Sequence, residues 1–277
     1  SITIKHEGKN TALSSLRVAG GSTTELTATG WYYGNKVYSA DTSFTWSVSD
    51  ALGTIDEDGT FTAVQTGRDV TGTLTVTYGE TSCTLPVTVG SSQPFDDTKG
   101  HWAESYITEL YYAGTLQGSE KNGKLYYRPD ASMTRQEFIV AMMRYLGTDL
   151  SAYASVQLPF DDSGSIASWA KSAMQAAYQL GYLTGSKTNG KLLAKPGSTI
   201  SRQEAMTILS RTKDFADADL NVLSAFSDSG KIADWARTAL AQMTQQKIIS
   251  GSKGKLNPTG KVTRAEVAKM LYMLSES

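Results

Sequence analysis

Residues 134–137 of this 277-residue chain are Thr-Arg-Gln-Glu, and the pattern returns as Ser-Arg-Gln-Glu at 201–204 and as Thr-Arg-Ala-Glu at 263–266. A hydroxyl residue followed three positions later by glutamate is the signature of a capping box, in which each side chain satisfies a backbone amide at the start of a helix. Apolar residues at helical spacing follow each copy. The sequence therefore predicts three capped helices, with the caps formed by Thr134 and Glu137, Ser201 and Glu204, and Thr263 and Glu266.

Further motifs recur in a fixed order before each copy. They are a phenylalanine–x–aspartate motif, a tryptophan–alanine pair, a glycine–serine pair and a proline, and the tryptophans recur at intervals of 67 and 66 residues. This order predicts three repeats, each a helix, a glycine loop and a second helix, over residues 95–150, 158–215 and 224–277. Because one repeat buries little apolar surface alone, we expect all three to share one core in an all-α, pseudo-threefold bundle.

The first 90 residues follow a different pattern. Apolar and polar residues alternate in short runs, as at 44–48 and 74–78, and Gly79-Glu80 supplies a tight turn. Such alternation is typical of antiparallel strands with one buried face. The sequence predicts a two-sheet, all-β sandwich over residues 1–90 and a linker at 91–94, so the predicted fold class is an all-β sandwich followed by the all-α bundle.

The composition excludes several classes of function. A net charge of −1 gives no field that would attract nucleic acid or anionic lipid, so neither is predicted as a partner. With one cysteine, Cys83, and two histidines, His6 and His101, we expect no metal site and no cofactor. No apolar run has the length of a membrane span, so membrane insertion is not predicted. Since the chain starts at Ser1, we expect an export signal and an upstream cargo domain to be missing.

An arginine follows the capping hydroxyl in every repeat, at Arg135, Arg202 and Arg264. The cap explains the hydroxyl and the glutamate, but the helix dipole disfavours a cation in the first helical turn. Recurrence within one chain indicates that the position is used, and an arginine beside free N-terminal amides is a natural receptor for an anion. We therefore predict that the three arginines bind an anionic ligand.

Three tryptophans, three aspartates and two lysines are further candidates for ligand contacts. An indole face can lie against a sugar ring, or it can open the apolar stripe of the first helix. The aspartates either bind sugar hydroxyls or cap loops. The lysines are weaker candidates, since they also fit solvated loop charges. These residues are Trp102, Trp169, Trp235, Asp97, Asp162, Asp228, Lys187 and Lys253.

Taken together, the repeated motifs resemble the S-layer homology domain, and the resemblance covers residues 95–277. It implies grooves between neighbouring repeats that bind secondary cell-wall polymer, typically a pyruvate ketal on N-acetylmannosamine. The arginines would contact the ketal carboxylate, and the aspartates and tryptophans would contact the sugar. Residues 44–50 and 53–63 resemble bacterial immunoglobulin-like (BIG2-type) domains, which implies that the sandwich is a spacer or presentation module.

The resemblance implies a non-catalytic protein of the bacterial cell wall or S-layer that anchors cargo by binding cell-wall polysaccharide. A structural lattice protein that self-associates is one alternative, and the anchoring module of a larger surface enzyme is another. A glycosidase using Asp97 and Glu137 is disfavoured, because the same acids occur in every repeat and no single pair stands out. No residue is predicted to be catalytic.

The repeats also differ from one another. The third carries Lys247 where the others have Gly114 and Gly181, and Ala265 where the others have glutamine. The spacing from aspartate to tryptophan is five residues in the first repeat and seven in the others. We expect the first repeat to deviate most in ligand binding.

Overall fold

The computed structural model describes residues 1–8, 11–32, 35–36 and 43–275. The last two residues of the predicted third repeat therefore lie outside the described residues. The chain forms two compact units. The first comprises Ser1–Lys99, Tyr111–Ala113 and Glu120–Leu125, and the second comprises Gly100–Leu110, Gly114–Ser119 and Tyr126–Ser277.

Two sheets build the first unit. One has the strand order β1-β3-β7-β6 with β4 paired to β3, and the other has the order β2-β9-β8-β5, where only the β2–β9 pairing is parallel. The strands are β1 (Ile2–His6), β2 (Leu16–Ala19), β3 (Thr23–Tyr32), β4 (Asn35–Lys36), β5 (Thr45–Val48), β6 (Gly53–Ile55), β7 (Thr60–Ala63), β8 (Val70–Tyr78) and β9 (Thr81–Gly90).

One apolar core lies between these sheets, because alternate residues of each strand face it. Ile4, Leu26 and Phe61 from one sheet and Leu74 and Val89 from the other belong to a single buried cluster. The hairpin that joins β8 to β9 turns at residues 79–80, as the sequence predicts. Its glycine has a φ of 56°, a value that is unfavourable for other residues.

Six α-helices are found in the described residues, two in each repeat. They are α1 (Glu104–Tyr112), α2 (Arg135–Tyr145), α3 (Lys171–Gln179), α4 (Arg202–Ser210), α5 (Asp234–Gln245) and α6 (Arg264–Ser275). Short 3-10 segments occupy parts of the connections at Leu150–Tyr153, Ser163–Ser165, Ser168–Ala170, Leu220–Ala225 and Ser229–Lys231.

The predicted fold class is wrong, because the repeat region is not an all-α bundle. The glycine loop of the first repeat forms the hairpin β10 (Ser119–Lys121) and β11 (Lys124–Tyr126), and that of the second forms β12 (Ser186–Thr188) and β13 (Lys191–Leu193). Each hairpin turns at an asparagine–glycine pair in which both residues have positive φ, at Asn122-Gly123 and Asn189-Gly190. Asparagine–glycine is the strongest short-range signal for a two-residue hairpin, so the strands have a clear local cause.

In the third repeat the corresponding turn, Lys253-Gly254, also has positive φ values at both residues (49° and 69°), but only an isolated bridge between Ser252 and Lys255 flanks it. The segment from the loop glycine to the proline runs from 251 to 258, compared with 185 to 196 in the second repeat, so it is four residues shorter. The third repeat therefore lacks the two-stranded arms of the other hairpins in the described structure.

A closed ring of backbone hydrogen bonds joins the three repeats at their centre. The amide of Met133 donates to the carbonyl of Val262 (3.1 Å), Val262 donates to Ile200 (3.2 Å), and Ile200 donates to Met133 (3.0 Å). All three side chains are at most 2% exposed. These residues directly precede the three capping hydroxyls, so the ring fixes the start of α2, α4 and α6 relative to one another.

Lys247 has the backbone conformation of the glycines that it replaces. Its φ is 58°, and those of Gly114 and Gly181 are 77° and 78°. A left-handed residue directly after a helix is usually glycine, because a Cβ atom is strained there. The third repeat therefore keeps the same helix ending without the favoured residue.

Candidate functional site

The three capping hydroxyls lie at the starts of α2, α4 and α6 and bind their partner glutamates. The amide of Thr134 donates to Glu137 Oε2 (2.8 Å), and the amide of Glu137 donates to the Thr134 hydroxyl (3.3 Å). Thr263 and Glu266 make the same pair of bonds. The amide and hydroxyl of Ser201 donate to Glu204 Oε2 at 2.8 and 2.6 Å. These bonds stabilise each helix start, with a typical contribution of about 1 kcal/mol per cap.

The first amides of each of these helices bind the neighbouring repeat. The amides of Arg135 and Gln136 donate to the carbonyls of Ser198 and Pro196 at 2.9 and 3.1 Å. The amides of residues 202–203 and 264–265 make the equivalent bonds to the proline loops of the third and first repeats. The expectation of free N-terminal amides beside each arginine is therefore wrong, because the next proline loop takes them. Any anion at these arginines must be held by side chains.

Two of the arginines bind a glutamate from the next repeat's capping box. Arg135 Nη1 lies 3.0 Å from Glu204 Oε1, and Arg202 Nη1 lies 3.0 Å from Glu266 Oε1. The arginine side chains are only 10% and 14% exposed. Arg135 Nε also donates to the carbonyl of Ala194 (2.9 Å). Each glutamate thus uses one oxygen for its own cap and the other for the preceding repeat, so both arginines hold neighbouring repeats together.

Arg264 has different surroundings. Its Nε donates to the carbonyl of Tyr127 (2.7 Å), its Nη2 donates to the carbonyl of Gln117 (2.8 Å), and its guanidinium carbon lies 4.4 Å from the centre of the Tyr127 ring. No ion pair joins it to a carboxylate within the described part of the chain. At the position of Tyr127 the other repeats have Ala194 and Leu256, so the aromatic residue at this position belongs to the first repeat alone.

The glutamines that follow two of these arginines also link the repeats. The side-chain carbonyl of Gln136 accepts a hydrogen bond from the amide of Ala167 (3.0 Å), and that of Gln203 accepts one from Ala233 (3.1 Å). Ala167 and Ala233 are the N-cap residues of the 3-10 segment Ser168–Ala170 and of α5 in the next repeat. In the first repeat the equivalent amide, two residues before the tryptophan, is that of Gly100, and it donates to Glu104 Oε2 (2.7 Å). In the sequence these glutamines appear only as differences between repeats, and no local pattern predicts this role.

The pKa of the Glu204 carboxyl lies below its ordinary value. Burial raises this pKa, but the hydrogen bonds from Ser201 and the charge of Arg135 outweigh that effect. A carboxyl whose pKa is lower in the folded chain than in the unfolded chain stabilises the fold at pH values above the unfolded pKa. This stabilisation is lost as the pH falls through the folded pKa.

We therefore expect the unfolding temperature to fall as the pH drops below about 4. Glu204→Gln should flatten this dependence, because the amide has no charge to lose. Thermal melts followed by circular dichroism from neutral to acidic pH will measure the effect. An equally steep acid dependence in the Gln variant would contradict the assignment to Glu204.

The three tryptophans lie on the surface. Trp102, Trp169 and Trp235 are 55%, 58% and 57% exposed, whereas the alanine that follows each of them is fully buried. The apolar stripe of the first helix therefore begins at the alanine and not at the tryptophan. The indole faces remain available for a ligand.

The aspartates of the second and third repeats bind backbone amides. Asp162 accepts hydrogen bonds from Ala194 (2.8 Å) and Lys195 (2.7 Å), and Asp228 accepts them from Leu256 (2.9 Å) and Asn257 (2.8 Å). Lys195 and Asn257 both have a φ of 52°, so the carboxylates hold a strained turn. This geometry fits the loop-capping alternative. The half-buried Asp97 occupies the same motif position in the first repeat.

A cavity of about 580 Å³ brings several candidates together. Its lining includes Trp102 from the first repeat, Arg202 from the second, and Glu266, Lys253, Lys255 and Lys269 from the third. An aromatic face and cations in one concave site suit an acidic sugar. Lys187, the weaker candidate of the second repeat, is exposed in β12 and does not line this cavity.

Among the described residues, no group of three or more histidine, cysteine, aspartate or glutamate side chains could hold a metal ion. None of the helices described has both the length and the apolar character to cross a membrane.

Comparison with known proteins identifies relatives that are much longer than this chain. Amylopullulanase of Thermoanaerobacterium thermosulfurigenes is 28% identical over 207 residues, which cover 73% of this chain and 10% of that protein. Exoglucanase XynX of Acetivibrio thermocellus is 28% identical over 242 residues, covering 84% and 21%. The Surface-layer 125 kDa protein of Lysinibacillus sphaericus is 32% identical over 192 residues, covering 65% and 15%. The chain thus spans about a fifth or less of the length of each of these relatives.

The family model described as the S-layer homology domain matches three segments, residues 94–139, 159–206 and 225–268. Each segment runs from the phenylalanine–x–aspartate motif into the helix that follows the capping box. The three predicted repeats are thereby confirmed as copies of this domain, and residues 94–268 contain three S-layer homology domains.

Proposed function

We propose that this chain anchors its parent protein to a bacterial cell surface by binding acidic wall polysaccharide in grooves between its repeats. S-layer homology domains are non-catalytic anchoring modules, and they indicate a location at the cell surface or cell wall. The observation that carries the polysaccharide proposal is the cavity, where the exposed indole of Trp102 and the guanidinium of Arg202 line one space.

In this proposal each type of side chain makes a different contact with the ligand. The faces of Trp102, Trp169 and Trp235 lie against sugar rings, since all three indoles are more than half exposed. Arg135, Arg202 and Arg264 attract an anionic group such as the carboxylate of a pyruvate ketal on N-acetylmannosamine. The aspartates support the turns beside the sites, and the proposed chemistry includes no catalytic step.

We also propose how this chain is organised within a longer parent protein. Relatives of this chain include surface polysaccharide-degrading enzymes and a surface-layer protein. We propose that residues 1–90 form a bacterial immunoglobulin-like spacer, joined by a linker at 91–94 to repeats over 95–150, 158–215 and 224–277. The parent is then either a larger surface enzyme or a structural protein of a surface lattice.

The proposal is tested by replacing all three exposed tryptophans with alanine. We expect this variant to bind purified wall polysaccharide about tenfold or more weakly, because each sugar loses its aromatic contact. The Trp→Phe triple variant should retain most of the affinity. Binding is measured by calorimetric titration with polymer fragments, before and after removal of pyruvate.

The matched control is Leu180→Ala with Leu220→Ala, which removes exposed apolar side chains outside the cavity. Circular dichroism should show the same helical signal in all variants, since every altered side chain is exposed. Undiminished binding by the Trp→Ala variant would refute the proposed site, and undiminished binding after pyruvate removal would refute the carboxylate contact.

A further inference from the structure

The third repeat contributes three lysines to the cavity. Its loop is four residues shorter than those of the other repeats, and the loop lysines Lys253 and Lys255 line the cavity together with Lys269 of α6. At the position of Lys269, five residues after the arginine, the other repeats have Val140 and Thr207. Lys269 therefore has no counterpart in the other repeats, whereas loop lysines also occur in the second repeat, at Lys187 and Lys191.

The positive charge of this cavity is not neutralised by the protein. Its single carboxylate, Glu266, pairs with Arg202 and also serves its own helix cap. Lys253 and Lys255 are exposed and Lys269 is half-buried, and no ion pair involves the side chain of any of the three in the described structure. Since the whole chain has a net charge of −1, the excess is local to this cavity.

Arg202 supplies an independent observation. Its Nε atom is buried and has no hydrogen-bond partner in the part of the chain that the structure describes. The same atom of Arg135 donates to Ala194, and that of Arg264 donates to Tyr127. A buried donor without a partner is unfavourable, so the protein holds the Arg202 guanidinium with one hydrogen bond fewer than that of Arg135 or Arg264.

We propose that this cavity binds a glycan segment that carries at least two anionic groups close together, with Lys253, Lys255 and Lys269 as contacts additional to Arg202. The inference rests on the proposed polysaccharide binding and names the charge class of the ligand at one of its sites. Carboxylates and phosphates both satisfy the chemistry, because an ammonium group recognises either as a point charge.

The test compares two variants that lose the same formal charge. K253Q/K255Q/K269Q removes the lysines of the cavity, and K99Q/K121Q/K171Q removes three exposed lysines outside it. Both are titrated with wall polysaccharide fragments at low and high ionic strength. We expect the cavity variant to bind about tenfold or more weakly at low ionic strength and the difference to shrink at high ionic strength, because salt screens exposed charges. The control variant should stay within about twofold of the unaltered chain.

Carboxyl-reduced and dephosphorylated fragments identify the anionic group. If the lysine-dependent part of the affinity disappears after one treatment, that group is the ligand's charge and the proposal is supported. If the cavity variant binds as well as the control, the proposal is overturned, while the anchoring function survives as long as the Trp→Ala variant still loses binding. If the unaltered chain does not bind the polymer at all, both proposals fall.

Discussion

Arg135→Ala is expected to lower the free energy of unfolding of the second unit by about 3 kcal/mol, because removal of one partner of a buried ion pair leaves the other charge uncompensated. The remaining partner is Glu204, whose side chain is about one-third exposed, so water will offset part of the cost. The carbonyl of Ala194 also loses its donor. Urea denaturation followed by far-ultraviolet circular dichroism measures the change.

Arg264→Ala is the matched control, since Arg264 binds two carbonyls and an aromatic ring but no carboxylate within the described residues. We expect Arg264→Ala to lower the free energy of unfolding by about 1 to 2 kcal/mol, the range for hydrogen bonds from a charged donor. A double-mutant cycle of Arg135→Met with Glu204→Gln should give a coupling energy of at least about 1 kcal/mol. Equal losses for Arg135→Ala and Arg264→Ala would contradict the ion-pair interpretation.

This expectation changes how the arginines are tested for binding. The sequence alone predicts that neutral residues at Arg135, Arg202 and Arg264 abolish binding and leave the helices intact. In the structure two of them hold neighbouring repeats together, so a loss of binding could follow from a loss of packing. The exposed tryptophans and lysines are the cleaner probes of the ligand site.

Gly251→Ala is expected to destabilise the third repeat by about 3 kcal/mol, through overpacking added to left-handed strain. Gly251 has a φ of 68°, and a Cβ atom there would lie 2.6 Å from the carbonyl oxygen of Lys255 and 2.8 Å from the Phe226 ring. The carbonyl belongs to the backbone and cannot rotate away. The displacement of the loop that relieves this clash should also weaken polysaccharide binding, because Gly251 and Lys255 both line the cavity.

Gly254→Ala separates the two causes. Gly254 has nearly the same φ, 69°, but a Cβ atom there would meet no atom within 4 Å. The loss of stability should therefore come only from the strain of a left-handed backbone, which is about 1 kcal/mol. Thermal and urea denaturation of both variants will measure the difference, and similar losses for the two would show that the close contact with Lys255 and Phe226 is relaxed at little cost.

Much of the repeat organisation is predictable from the sequence. Capping boxes and helical spacing are local patterns, and the helices α2, α4 and α6 begin at the arginines that the patterns indicate. The all-α prediction is wrong at the loops, because it treats Asn122-Gly123 and Asn189-Gly190 only as part of a glycine loop. Their hairpin signal is local and could have been recognised.

The surroundings of the arginines could not be predicted in the same way. The pairing of Arg135 with Glu204 joins residues 69 positions apart, and it depends on how one repeat packs on the next. Nothing local to Arg264 indicates that the ring of Tyr127, 137 positions away, takes the place of a carboxylate. Exposure of the tryptophans was likewise undecided, since a tryptophan at a helix start fits either a core or a surface position.

The hydrogen bonds among Met133, Ile200 and Val262 form a circle with no first or last member. A linear array of repeats can be lengthened at its ends, and it needs terminal units with a polar outer face. A circle has no such termini, so a fourth copy could join only by breaking an existing bond, and loss of one copy would leave a donor and an acceptor without partners in an apolar centre. The loops and side chains of each copy can therefore vary, whereas a single ring of this geometry holds three copies.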